Sequence, residues 1–173
     1  MNQNYFLSSV FSSELEGLDW PKETWVDFDM QKASKKLKIS LDINLPESKL
    51  LPKRTAEFNS NQKRLKVKAK SKKKCQHEYA THVHAILFRL TGVSFAVLPA
   101  LDEVIISGYT QVVDKKGCTE DVYILSLQVK RKKWETINFD NLESIDPIDV
   151  LTLFKFERKM NASFMFKEIK PWI

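Results

Sequence analysis

Residues 121–134 read DVYILSLQVKRKKW, and their pattern changes halfway along. Leu125, Leu127 and Val129 alternate with polar residues, which predicts a β-strand with one apolar and one polar face. A basic run that ends in Trp134 follows directly. The stretch therefore combines a core strand with a basic, aromatic end.

The residues before this strand supply its partner. Residues 103–113 are rich in β-branched and aromatic side chains, which favour strands. Asp114 and Gly117 bracket a short turn sequence between the two arms. The sequence therefore predicts a β-hairpin from Glu103 to Trp134, with its apolar face at the centre of a sheet.

Composition limits the size and the class of the protein. At 173 residues, with 43% hydrophobic and 29% charged residues, the chain fits one ordinary globular domain. Its four glycines disfavour a glycine-rich nucleotide-binding loop. The apolar runs are shorter than a bilayer span, and residues 1–11 lack the basic start of a secretory signal. The expected location is the cytoplasm, with no membrane partner and with Cys75 and Cys118 as reduced thiols.

Positive charge is concentrated in one segment. The net charge is +6, and residues 63–74 contribute +8 of it, which leaves −2 for the rest of the chain. Such a local concentration of basic residues indicates a positively charged patch on one face or arm of the protein. The basic residues of this segment are Lys63, Arg64, Lys66, Lys68, Lys70, Lys72, Lys73 and Lys74.

Three segments precede the region of the hairpin. Residues 1–31 mix acidic and aromatic residues, and an irregular or short-helical segment is expected that either docks onto the core or binds a partner. Residues 32–62 contain a strictly alternating strand at 37–45, followed by a loop. Residues 63–74 are either an edge strand protected by lysines or a disordered basic linker.

Residues 75–173 form the predicted core, with the element order α-β-β-β-α-β. An apolar stripe at helical spacing indicates a helix at 76–90, and strands are expected at 93–98 and 164–169, before and after the hairpin. Asp146 and the proline after it signal a second helix, to about residue 159. The predicted fold is a single α+β domain with a mixed or antiparallel sheet, two main helices and the amphipathic N-terminal strand.

The third predicted strand carries Gln128-Val129-Lys130, with Gln128 and Lys130 on one face. Together with the element order, this motif resembles the PD-(D/E)xK nuclease core over roughly residues 76–170, as a QxK variant of the family motif. The resemblance implies a Mg²⁺-dependent nuclease in which Lys130 is catalytic, Gln128 has a positioning role and Glu103 or Asp102 binds the metal.

The acidic partner of this motif is open among several positions. Asp114 and Asp121, nearer the turn, are alternatives to Asp102 and Glu103. A turn centred near Gly117 predicts that Glu103 lies opposite Arg131, and a slip of one residue would move the side chains to the other face. Hard cations need several oxygen ligands.

The histidines do not form a zinc pattern. On a helix, zinc ligands usually stand at i, i+4 spacing, and no pair among His77, His82 and His84 has that spacing. Cys75 adds no convergent fourth ligand. No metal centre is predicted from these residues.

Non-specific nucleic-acid binding is the leading functional hypothesis. Lysine-rich segments bind phosphate backbones without base selectivity, and scarce arginine disfavours bidentate base readout. An adjacent aromatic ring can stack on an exposed base. The segment 63–74 is expected to act together with a second cluster, which consists of Lys130, Arg131, Lys132, Lys133 and Trp134.

Two alternatives come from other classes of protein. One is the nuclease, with Mg²⁺ as its cofactor; outside this alternative, no cofactor and no enzymatic activity are expected. The other is a protein-interaction module of a larger assembly, with residues 1–31 as the contact.

Overall fold

The computed structural model describes residues 3–33, 36–60 and 63–173. Residues 1, 2, 34, 35, 61 and 62, which fall within the predicted segments 1–31 and 32–62, lie outside the described residues. Three short 3₁₀ helices lie at Ser48–Leu50, Phe139–Ser144 and Leu151–Leu153. In chain order the other elements are α1 (Gln3–Glu16), β1 (Trp25–Ala33), β2 (Lys36–Asn44), β3 (Arg54–Asn59), β4 (Arg64–Ala69), α2 (Lys72–Val97), β5 (Leu101–Val113), β6 (Thr119–Lys130), α3 (Arg131–Trp134), α4 (Pro147–Val150), β7 (Lys155–Met160) and β8 (Phe166–Lys167).

A six-stranded sheet lies at the centre of the molecule, in the order β1-β2-β5-β6-β7-β8. β2 and β5 are parallel, and the other neighbouring strands are antiparallel. β3 and β4 form a separate two-stranded sheet. The predicted α+β fold with a mixed sheet is confirmed.

The core lies between one face of the central sheet and α2. In β2, the aliphatic residues at odd positions are buried and the polar residues between them are not, as the alternation predicts. They pack in one cluster with Val104 and Leu127 of the hairpin and with Val83, Leu87 and Leu90 of α2. The opposite face of the sheet carries polar side chains, and we call it the polar face.

α2 is longer than the predicted helix at both of its ends. Its first turn begins after Ser71, whose Oγ accepts a hydrogen bond from the Lys74 amide at 3.2 Å. The helix also includes residues 93–97, which were expected as a strand, because Ser94 and Phe95 continue its buried stripe. Two strands therefore follow this helix before the next helix, where three were predicted.

α2 is also long and apolar enough to cross a membrane, with 26 residues and a mean hydropathy of 1.2 over its apolar window. Half of that window is buried inside the fold. A core helix satisfies the same criteria of length and composition, and the packing of α2 against the sheet is that of a core helix.

The predicted hairpin is confirmed as β5 and β6 up to Lys130, with a different register, but Arg131–Trp134, expected to continue its second arm, form α3 instead. Glu103 pairs with Lys130, not with Arg131 as predicted. A β-bulge between Gly108 and Tyr109 shifts the pairing nearer the turn by one residue. Gly108 lies so close to Leu45 that an added Cβ would stand 2.7 Å from its Cδ1 atom.

The C-terminal part contains more strand and less helix than predicted. Asp146 caps α4 as expected, since its Oδ1 accepts from the Ile148 amide at 2.7 Å. The helix ends at Val150, however, and residues 155–160 form β7 against β6. β8 lies within the predicted last strand, and beyond it the Trp172 amide donates to Ser107 Oγ on the polar face at 3.1 Å.

Residues 3–31 are part of the fold, and the expected irregular or short-helical segment is wrong, because they contain the 14-residue α1 and most of β1. α1 buries Phe11 completely, and its ring stands 5.0 Å from that of Phe28 in β1. Of the two alternatives for this segment, docking onto the core is confirmed for these aromatic residues. Tyr5, Phe6 and Trp25 remain exposed.

Candidate functional site

The basic segment folds as an arm beside the central sheet. β3 and β4 pair antiparallel along their full length, so the loop predicted for residues 46–61 is wrong over β3. Of the two alternatives for residues 63–74, the strand is confirmed for β4, while Lys72–Lys74 form the first turn of α2. We call residues 53–74 the basic arm.

Charge is concentrated in and around this arm. Residues 47–78 contain eleven basic and three acidic residues, a net charge of +8, so that the remainder of the chain carries −2. Every residue of β4 is exposed, and so are Lys72, Lys73 and Lys74. The arm therefore presents a concentrated positive potential to the solvent.

The two faces of the arm differ in chemistry, because side chains alternate along each strand. On one face, Lys68 forms an ion pair with Glu57 at 2.6 Å. The hydrogen bond and the charge of Lys68 lower the pKa of the Glu57 carboxyl. Lys66, directly opposite Glu57, lies on this charged face as well. The other face is apolar and pairs Phe58 with Leu65 and Ala56 with Val67.

One lysine of the arm is not available to a ligand. Lys70 Nζ contacts Glu78 Oε2 at 2.6 Å, and 11% of its side chain is exposed. This ion pair ties the end of the arm to α2. Lys70, one of the eight predicted phosphate contacts, is therefore a structural residue.

A groove of 770 Å³ adjoins the base of the arm. It runs between the start of α2, the turn end of the β5–β6 hairpin and β8. Its floor is largely apolar and includes Tyr79, whose pKa is raised to about 12 by burial. Four lysines and two glutamates line it, so its lining carries a net charge of +2, and Lys49 forms an ion pair with Glu47 at 2.7 Å. These charged residues are Lys49, Lys53, Lys72, Lys167, Glu47 and Glu168. The groove continues the basic surface of the arm onto the main body of the protein.

The second predicted cluster lies at the other end of the molecule. Arg131 holds the C-terminal end of α2, whereas Lys72 lies at its start. Because α2 has 26 residues, its two ends are roughly 39 Å apart. The structure therefore does not bring the two predicted clusters together into one continuous patch.

Two residues of the second cluster are structural. Arg131 donates to the carbonyl oxygens of Leu101 at 2.7 Å, Phe95 at 3.0 Å and Leu98 at 2.7 Å. Trp134, predicted as an exposed ring for base stacking, is 6% exposed and packs in the core. Neither side chain is available to nucleic acid, while Lys130, Lys132 and Lys133 are exposed.

The residues of the QxK motif meet on the polar face. Lys130 stands directly opposite Glu103, and the Gln128 amide donates a hydrogen bond to the Glu103 carboxylate. Lys38 approaches the same carboxylate at 3.4 Å, and Lys155 donates to Gln128 Oε1 at 3.0 Å. Glu103 itself is 7% exposed. The Glu103 carboxylate is thus contacted by one lysine, Lys38, and one amide, while Lys130 is its neighbour on the adjacent strand.

The other candidate acidic residues accept hydrogen bonds from groups outside the QxK motif. Asp102 accepts from the Leu37 amide at 2.9 Å. Asp114 accepts two backbone amides in its own turn, at 2.8 Å each, and Asp121 accepts from Gln111 at 3.1 Å. Within the described residues, no three or more His, Cys, Asp or Glu side chains are grouped to hold a metal ion. Glu103 is the one of these four acids that contacts the motif.

The three histidines lie in different surroundings. His84 is fully buried; its Nδ1 contacts the Ala80 carbonyl at 2.6 Å and its Nε2 contacts Arg158 at 2.7 Å. Burial, together with the charge of Arg158, lowers its pKa to about 4, so the ring is neutral and accepts from Arg158. His77 packs against Phe164 near the surface. Burial lowers the pKa of His82.

Phe58 is an exposed aromatic residue of the basic region, and it was predicted to lie in a loop. Its ring is 67% exposed. The signal was present as a second alternating stretch: RTAEFN at residues 54–59 mirrors RLKVKA at residues 64–69, with a short polar connection between them. Lys49, Lys53 and Arg54 extend the basic region toward the N-terminus of the chain.

No protein-family model, curated protein or solved structure matches this chain.

Proposed function

We propose that this protein binds nucleic acid through the phosphate backbone, without base specificity, by means of the basic arm. The observation that supports the proposal is the net charge of +8 over residues 47–78 in a chain that is otherwise slightly acidic. Lysines that neutralise phosphates release condensed counterions, which makes affinity strong at low salt and steeply salt-dependent.

The start of α2 adds a second physical reason. The N-terminal end of a helix carries a partial positive charge that favours acidic residues. Here the first turn contains no acidic residue and holds Lys72, Lys73 and Lys74 instead. The repulsion between these charges and the helix dipole is relieved when an anion binds, so phosphate binding stabilises an otherwise unfavourable arrangement.

The proposed contacts are fewer than the sequence suggested. Lys70, Arg131 and Trp134 are excluded by their structural contacts. Lys130, Lys132 and Lys133 lie away from the arm and serve as a comparison set. The proposed contact residues are Lys63, Arg64, Lys66, Lys68, Lys72, Lys73 and Lys74, with Lys49 and Lys53 at the adjoining groove.

A titration of binding against salt tests the proposal. A triple variant that changes Lys72, Lys73 and Lys74 to Gln is compared with a control triple that changes Lys130, Lys132 and Lys133 to Gln. With one phosphate per lysine, the first variant lowers the slope of log K against log salt by about 2 on a single strand, and weakens binding at 0.1 M salt about 100-fold. The control keeps the wild-type slope.

Two outcomes contradict the proposal. One is a binding constant that does not depend on salt. The other is an equal loss of slope in the two triple variants, because that would place the contact surface elsewhere on the molecule.

A second candidate function is Mg²⁺-dependent cleavage of nucleic acid, and one observation favours it. Glu103, Gln128 and Lys130 share the polar face, with Lys130 directly opposite Glu103. The single carboxylate provides fewer oxygen ligands than a hard cation needs, which makes this candidate the weaker of the two. Incubation with plasmid and Mg²⁺ or Mn²⁺ tests it, and cleavage that persists in Lys130→Ala would remove it.

A further inference from the structure

The apolar face of the basic arm is exposed to solvent. Phe58 and Leu65 are each 67% exposed and form a cross-strand pair, and Val67, 58% exposed, lies beside them. An isolated two-stranded hairpin is only marginally stable in water. An exposed apolar face of this kind, on an arm that is separate from the core, indicates a surface that a binding partner covers.

The surroundings of this face restrict what covers it. Lys66 and Lys68 lie on the opposite face of the arm, whereas Arg54 shares the face of Ala56 and Phe58, and Lys72–Lys74 follow at the base of the arm. A suitable partner therefore combines negative charge with exposed flat apolar groups. Unpaired nucleic acid has both, because its bases present their π-faces and its backbone carries phosphates that can contact basic residues bordering the apolar face. A duplex buries those faces in the stack between neighbouring base pairs.

We infer that the basic arm binds single-stranded nucleic acid in preference to duplex, with unpaired bases against Phe58, Leu65 and Val67 and phosphates on Arg54 and on Lys72–Lys74 at the base of the arm. This inference rests on the proposed function and adds the substrate class to it. Phe58 supplies the stacking surface, and Leu65 extends the apolar contact across the hairpin. Base stacking on an aromatic ring tolerates any sequence, which agrees with backbone binding by lysines.

Binding of a labelled thymine oligonucleotide and of a duplex of equal length, each measured across a range of salt concentrations, tests the inference. The principal variant is Phe58→Ile, which removes the ring but retains apolar area and strand preference. Its single-strand affinity falls about 5- to 150-fold. Its duplex affinity and its salt slope remain those of the wild type.

Two control variants separate stacking from folding. Phe58→Trp retains an aromatic ring and keeps the single-strand affinity. Tyr5→Ser removes an aromatic ring that is 72% exposed on α1, outside the arm, and leaves all binding unchanged. Circular dichroism of each variant verifies that the fold is intact.

The outcomes distinguish this inference from the proposed function. Salt-dependent binding that is equal on both nucleic acids and unaffected by Phe58→Ile overturns the inference and leaves the proposed function standing. The absence of salt-dependent binding to either nucleic acid overturns both. Anionic phosphatidylserine vesicles provide a further arm: vesicle binding that Phe58→Ile abolishes, with unchanged single-strand affinity, assigns the apolar face to lipid and overturns the inference.

Discussion

Replacement of Arg131 by alanine is expected to destabilise the protein without changing its affinity for nucleic acid. The side chain closes the C-terminal end of α2, where carbonyl groups lack partners within the helix. It donates to the carbonyl oxygens of Phe95, Leu98 and Leu101 at 2.7–3.0 Å. Its guanidinium also lies 4.7 Å from the centre of the Phe95 ring.

The expected loss follows from these contacts. Hydrogen bonds from a charged donor contribute about 1.5–3 kcal/mol each, and the lower value applies here because 25% of the side chain is exposed. Three bonds then predict a decrease of about 4.5 kcal/mol in the free energy of unfolding. For a chain of this size, that decrease lowers the melting temperature by about 9–18 °C. Arg131→Lys recovers only part of it, because an ammonium group lacks the planar fork that reaches several carbonyls.

Urea unfolding measures this change, with Lys132→Ala and Lys133→Ala as neighbouring controls. Both controls are exposed and are expected to alter the free energy of unfolding by no more than about 0.5 kcal/mol. A loss below about 1 kcal/mol in Arg131→Ala would refute the reasoning, because one such bond alone contributes more. A decrease in the slope of log K against log salt in folded Arg131→Ala would also refute the reasoning, because it would show that Arg131 contacts nucleic acid.

Two predictions concern titration and burial. The pKa of His84 is lowered to about 4 by burial, so only the unfolded chain binds a proton between pH 6.5 and 4, and the free energy of unfolding falls by about 3 kcal/mol over that range. His84→Gln removes this component from a series of urea titrations at different pH values, and an unchanged series would contradict the assignment. The pKa of Asp42 is raised by burial, and the charges of Asp27 and Asp121 raise it further, so its charged form destabilises the fold at pH 7. Asp42→Asn can still accept the hydrogen bond from Tyr123 and is therefore expected to be more stable than the wild type at pH 7. The difference in stability decreases as the pH falls, because Asp42 of the wild type becomes protonated. A variant that is less stable than the wild type at pH 7 would contradict this reasoning.

Local patterns were sufficient for several elements of the fold. The alternation in β2 and β6 and the turn residues before Cys118 predicted strands and a hairpin that the structure contains. The Asp146 cap was equally clear. These features depend on residues within a few positions of one another, so their physical cause is present in the sequence itself.

The predictions were wrong where contacts between residues far apart in the sequence determine the structure. Residues 93–97 have strand propensity, but they extend α2 because Phe95 packs beneath Trp134 in the core. The turn of the hairpin is centred on Lys116 and not near Gly117, and the β-bulge after Gly108 shifts the pairing back by one residue, which places Lys130 opposite Glu103. Tertiary packing overrides local preference at such positions.

The α+β fold and the one strongly basic segment could be predicted from the sequence alone, because composition, alternation and charge are properties of neighbouring residues. Which charged and aromatic side chains remain available, in contrast, depends on tertiary packing. Arg131 and Trp134 occur in a basic run, yet the packing around α2 uses both, while Phe58 is exposed on the separate β3–β4 arm. The reason is that the burial of a side chain depends on which residues pack against it in three dimensions. The spacing of neighbouring residues in the sequence does not contain this information.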